Sequence, residues 1–417
     1  NLALGRETGP LLKDALAADP DLVMAHSLKG YFFLLMASGP LRDRVPKVLA
    51  AAEEASLEAA TAREKAHVRA LKHWLDGDTY GAVRAWEEIL ADHPRDVLAL
   101  RLAHHAYFYM GAAGGMLASV ERVLDAWDEG FAGYGFVLGM RAFALEESGD
   151  YAAAEEAGRR AVDINADDPW AVHAVAHVME MQDRHGEGIE WITGLQPHWQ
   201  QANNFRYHLW WHRALMHLGR GEADEALRLY DESIWNPDSD EYLDLCNDVS
   251  LLLRLELLGV DTGDRWRVLA EKAGSRTEDR ILTFIDCHVV AALAAAGQVD
   301  KAERMVEEMA SAGGVFADVG ATVSKALIAH RVGNYPAAAR LLGSCLLGRL
   351  CERGTGFRRE DRDPRRRVLH RWSLGALPRR QRDGLGGGRF LRRLCVREPQ
   401  RQGRVWLRRK LHGIGAR

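Results

Sequence analysis

The chain of 417 residues has only five cysteines, at positions 246, 287, 345, 351 and 395, and none stands in a CxxC pair. An odd and scattered set argues against both a disulfide framework and a cysteine-rich zinc site, and fits a reducing, cytoplasmic setting. Long hydrophobic runs are missing as well. The longest, Tyr31 to Ala37, falls far short of the roughly 20 residues that cross a bilayer, so no membrane partner is expected. No charged segment followed by an apolar one opens the chain. Asn1 stands where an initiator Met would, which points to a start further upstream. There is no GxSxG elbow, P-loop or dinucleotide fingerprint, and the run Gly384 to Gly388 follows no strand pattern. Nucleotide enzymes are set aside on that ground.

What is present is an Ala-rich chain with 47% apolar and 27% charged residues, ordinary for a folded protein with a large core. The net charge of −4 hides a division. Residues 351–417 hold 20 Arg and one Lys against six acids, leaving residues 1–350 strongly acidic. This last stretch has ten Gly and two Ala and no helical period. Residues 349–417 are therefore expected to be a disordered Arg/Gly-rich tail, of the composition that a shifted reading frame yields. The other reading is a genuine basic tail that neutralises nucleic-acid phosphates; without it no nucleic-acid partner is expected.

Between these ends the sequence repeats. The clearest unit runs Gly149-Asp150-Tyr151-Ala152-Ala153-Ala154 through Ala161 to Asp168-Pro169. Gly149 permits a tight turn between two helices, Ala154 and Ala161 are small where helices approach, and Asp168-Pro169 caps and opens the next helix. Copies of the turn are read at residues 77, 114, 149, 183, 221, 259, 297 and 333, spaced by 34 to 38 residues, the period of a helix-turn-helix repeat. Val299 to Met309 shows the helical spacing plainly, with Ala302, Met305, Val306 and Met309 on one face. The fold class that follows is all-α, a right-handed superhelical solenoid of tetratricopeptide-type repeats over residues 21–348. Residues 1–20 are read as a partial N-terminal unit.

The segments Leu102 to Tyr109, Trp170 to Glu180 and His208 to His212 carry histidines that a generic repeat would lack. With them, residues 10 to 348 resemble the tetratricopeptide repeat protein 38 family. The resemblance implies an all-helical superhelix and brings no reaction with it.

Chemistry is sought on the concave side, which the first helix of each pair lines. Residues ten before each turn sample that wall: His67, His104, Gly139, His173, Trp211, Val249, Cys287 and Val323. His67, His104, His173, His177, Glu180, His208 and Trp211 are accordingly expected to present a His- and aromatic-lined groove to a peptide or protein partner. The spacing of His173, His177 and Glu180 puts all three on one helical face, and His208 and His212 repeat the interval on the next unit. Two imidazoles from each of two helices can hold zinc or another divalent metal, the basis of a metal-dependent hydrolase or a small-molecule-binding protein, with Glu180 as an added ligand or base. The blander reading is that these histidines only hydrogen-bond within the stack. Residues Gln196 to Asn204 are expected to form a loop bordering the groove. Cys287 and His288, being adjacent on a helix, point to different faces and form no dyad.

Overall fold

The computed structural model describes residues 7–57 and 60–352; the expected tail beyond Glu352 lies outside them. Four helices lead in: α1 (Thr8–Ala18), α2 (Val23–Leu35), the short α3 (Gly39–Arg42) and α4 (Val45–Ala55). Then come α5 (Ala62–Leu75), α6 (Thr79–Asp92), α7 (Val97–Tyr109), α8 (Ala113–Leu124), α9 (Tyr134–Ser148), α10 (Tyr151–Ile164), α11 (Pro169–Met181) and α12 (His185–Gly194). The second half holds α13 (Gln196–Trp199), α14 (Phe205–Gly219), α15 (Ala223–Leu229), α16 (Tyr242–Leu257), α17 (Arg265–Ala273), α18 (Thr283–Ala295), α19 (Val299–Ala312), α20 (Thr322–Arg331) and α21 (Tyr335–Glu352). Among the described residues there is no strand, and no helix is long and apolar enough to cross a membrane. The fold is an all-α solenoid of stacked helix pairs.

Each pair is joined through one residue in the left-handed region. These are Gly77, Gly111, Gly149, Asp183, Gly221, Gly259, Gly297 and Gly333, with φ between 60° and 87°. Gly111, not Gly114, makes the turn between α7 and α8; Gly114 lies inside α8. The turn thus lies three residues before the position the spacing predicts, and that unit's register moves with it. Five residues after the turns at 77, 149, 221, 297 and 333 stand Ala82, Ala154, Ala226, Ala302 and Ala338, all buried where the paired helices meet. Aspartates cap the helices that follow: Asp78, Asp96, Asp150 and Asp168 each accept a backbone N–H of the first turn. Thr61 and Glu64 close a reciprocal capping box on α5.

The expected loop at 196–204 contains the single helical turn α13. Trp199, fully buried, anchors it by donating from Nε1 to the Ile192 carbonyl at 3.0 Å. The solenoid also returns upon itself. Arg276 donates to the Ala37 carbonyl at 2.5 Å, Gly39 N–H donates to Asp279 Oδ1 at 3.1 Å, and Arg276 pairs with Asp279 at 3.0 Å. Across the inner side, the Tyr109 and Tyr242 hydroxyls hydrogen-bond at 2.8 Å, so first helices that are not neighbours in the stack meet.

Asp183 is the one turn residue of the eight with a Cβ, held at φ 60°, and a left-handed backbone costs such a residue about 1 kcal/mol more than glycine. Asp183→Gly is therefore expected to raise unfolding free energy by up to about 1 kcal/mol, and Gly149→Ala to lower it by a similar amount. Urea denaturation of the two variants beside the wild type checks both; equal midpoints for all three would refute the strain argument.

Candidate functional site

α11 starts cleanly because Asp168 accepts the Trp170 N–H at 3.0 Å and Pro169 occupies a position that needs no donor. That start fixes the rotation of the helix, so His173 and His177, one turn apart, face the first helix of the next unit, α14. There His208 and His212 face back. The four rings close on one another, with centroid separations of 4.2 Å for His173–His177, 4.9 Å for His173–His208, 4.6 Å for His177–His212 and 4.7 Å for His208–His212. One ring nitrogen from each lies within 4.8 Å of the others. His208 Nε2 is 3.0 Å from His173 Nε2 and 3.2 Å from His212 Nε2.

Three of the four outer nitrogens have partners. His212 Nδ1 donates to Glu180 Oε2 at 3.1 Å, and His208 Nδ1 to Asn247 Oδ1 at 2.9 Å. His177 Nδ1 faces Glu146 Oε2 at 3.5 Å. A carboxylate only accepts, so His212 carries its proton on Nδ1 and leaves Nε2 as a bare lone pair. With the Asn247 amide oriented as it is, His208 does the same. Two lone pairs at 3.2 Å repel unless a cation lies between them. His173 Nδ1 is buried and makes no hydrogen bond to a described residue.

Aromatic rings wall the cluster. Phe143 stacks on His173 at 5.6 Å, Trp211 stacks on His208 at 5.2 Å, and Phe205 lies edge-on to His173 at 5.3 Å. Burial strips water from the rings and is the main reason the pKa values of His173, His208 and His212 fall well below the ordinary imidazole value; charge on neighbouring imidazoles adds to it. His177 differs. Burial lowers its pKa too, but the hydrogen bond and charge of Glu146, with Glu180 and Glu147 beyond, outweigh burial and raise it. Glu146, Glu147 and His177 form a second group of converging ligand atoms.

Of the residues expected at the groove or as metal ligands, His173, His177, His208, His212, Glu180 and Trp211 are brought together. His67 and His104 are not. His67 is fully buried, bonded through Nε2 to Asp96 at 3.0 Å and flanked by the Tyr31 hydroxyl. His104 lies seven residues before the true turn at Gly111, where other units carry Ala70, Ala142, Ala176 and Ala214, and it packs against Phe143 inside the stack. The residue ten before that turn is Arg101. Asn247 and Phe143 were missed; each sits on a different unit from the histidines, and no local spacing marks either. Cys287 is buried beside Ser324 and Gly320.

The opposite shifts give a pH signature. In chelator-treated protein at pH 6, just below the ordinary imidazole pKa, His177 is expected to be protonated while His173, His208 and His212 stay neutral. Nitrogen-15 imidazole spectra across pH 5 to 8 report this directly, and four rings titrating together near 6.5 would contradict it.

No family model matches the chain. Among solved structures, the human IFIT1 dimer with m7Gppp-AAAA is similar at 15% identity over 83% of each chain, with a TM-score of 0.45. MamA is similar at 21% identity over 39% of this chain and 90% of its own, with a TM-score of 0.31. A signal-transduction ATPase with a tetratricopeptide repeat sensor, from Pyrococcus horikoshii, is similar at 14% identity over 78% of this chain and 52% of its own, with a TM-score of 0.37.

Proposed function

We propose that this is a metal-binding helical-repeat protein in which His173, His177, His208 and His212 hold zinc or another borderline divalent ion between the fourth and fifth helix pairs. The observation that carries the reading is the convergence of one nitrogen from each ring within 4.8 Å. Four ligands at metal–nitrogen distances of about 2.0 to 2.1 Å in a tetrahedron stand about 3.3 Å apart, close to the 3.0 and 3.2 Å between Nε2 atoms here. Glu180, Asn247 and Glu146 take the outer nitrogens, the support that orients metal-binding imidazoles. Neutral nitrogen donors suit zinc, copper or nickel and not calcium or magnesium.

A protein or peptide partner in the concave groove is less well supported. Tyr109 meets Tyr242 across that side, and His67, His104, His173 and His212 are buried. A hydrolytic use of the ion has one observation in its favour. His177 lies beside Glu146, and its side chain is 21% exposed. Three imidazoles with a fourth place open to water is the arrangement of catalytic zinc.

Protein purified without chelator or affinity tag is expected to contain about one equivalent of metal, and His208→Ala and His212→Ala to lose it. Ion bound to the folded state alone stabilises it by about 4 kcal/mol at a thousandfold excess over Kd, so chelation should lower the melting temperature of the wild type and leave the variants unmoved. Absence of metal, together with no zinc uptake on dialysis, would overturn the reading. Retention of the ion by His177→Ala would favour the three-ligand, open arrangement; its loss would favour the closed one.

A further inference from the structure

A small cavity of about 50 Å³ lies where five first helices meet, lined by Leu35 and Met36 at the end of α2, Arg101 of α7, Trp170 of α11, Phe205 of α14 and Tyr242 of α16. Its volume gives room for a few water-sized groups. Leu102 and Leu243 add to the apolar and aromatic wall, and Arg101, His105, Asn203 and Glu241 are its polar members. Arg101 brings a permanent charge. Its guanidinium lies over the Trp170 ring at 4.2 Å, and that ring stacks in turn on Phe205 at 3.9 Å. Beyond this stacking, Arg101 makes no hydrogen bond or ion pair with a described residue. Asp168 feels its charge, but is committed to capping α11.

An arginine so placed keeps its charge and offers a planar fork of N–H donors. Glu241, also at the cavity, is a second donor. Burial, helped by Asp244 and Asp240, pushes its carboxyl up to about 8, so it carries a proton at neutral pH. Its Oε2 makes no hydrogen bond in the described structure.

We infer that this cavity is a binding site for a small monocarboxylate, whose oxygens take the Arg101 fork and the Glu241 O–H while a short alkyl group rests against Leu35, Met36, Leu102 and Leu243. The fork matches two carboxylate oxygens in one plane, which a spherical anion cannot use. A dianion such as phosphate fits less well, because one guanidinium balances one charge. The volume limits the ligand to about the size of acetate to butyrate. The inference does not depend on the imidazole cluster holding a metal.

The test uses propionate as probe, with propionamide, phosphate and chloride at matched ionic strength, followed by ligand-observed NMR and thermal unfolding of the full chain. Wild type is expected to bind propionate saturably and to be stabilised by it, and to show neither response with the three controls. Arg101→Lys keeps the charge but loses the fork, and should bind at least about tenfold more weakly. Leu243→Phe leaves Arg101 in place and fills the cavity from α16, and should also abolish binding. The Arg101 Nε–H resonance of wild type should shift on propionate addition, a readout that needs no variant. Equal responses to chloride or propionamide, undiminished binding by both variants, or an unmoved Arg101 resonance would overturn the inference. Repeating the titration on chelator-treated protein and on His208→Ala separates the two sites. Propionate binding that persists there upholds the cavity whatever the metal content. Binding lost with the metal assigns the anion to the imidazole cluster and overturns the cavity.

Discussion

A residue with φ near +80° can end one helix and start its antiparallel partner within two positions, and eight such residues recur from Gly77 to Gly333. Each amphipathic pair made this way has an apolar face it cannot cover alone, so it stacks on the next. The position of a side chain relative to its turn then decides whether it faces the neighbouring pair, the outer solvent or the inner wall. His173 and Trp211, each ten residues before a turn, reach the inner wall because of that count.

What gathers at the inner wall is costly to bury. Four imidazoles meet with little water, and three of them are held neutral by that burial. A packed core would fill this space with apolar side chains at lower cost, as the first four units do at the position of His212, where Val68, Leu102, Met140 and Ala174 stand. A guanidinium lies on Trp170 nearby, and the ring of that tryptophan touches His173 at 5.9 Å. Arg101, the four imidazoles and Asn247 thus bring polar groups of α7, α11, α14 and α16 into one region of the interior.

Much of the architecture was legible because a turn of this kind demands glycine, and glycine is visible in a sequence. The exception shows the mechanism: between Gly111 and Gly114 composition offers no choice, and only the capped length of α7 settles it. The slip put His104 at the groove position that Arg101 holds in the true register. The four clustered histidines were legible as two four-residue intervals on adjacent units. Their partners were not. Asn247 lies 39 residues from His208, and Glu146 lies 31 before His177; pairing at that range depends on how units stack, which no local pattern records. The closure near Ala37 and Arg276, 239 residues apart, was invisible for the same reason.

That closure changes the kind of object the molecule is. An open stack behaves as a row of nearly independent neighbours, able to unravel from either end one pair at a time. Here the Ala37 carbonyl, itself at a positive φ of 44°, is tied to Arg276, and the Gly39 amide to Asp279, so the leading helices cannot peel away without breaking contacts made by the sixth and seventh pairs. The leading end is fixed twice over, and losing one joint before Arg276 no longer frees it. On a ribosome the same feature imposes a delay: the segment around Ala37 is made early and waits for more than two hundred residues before its partner exists.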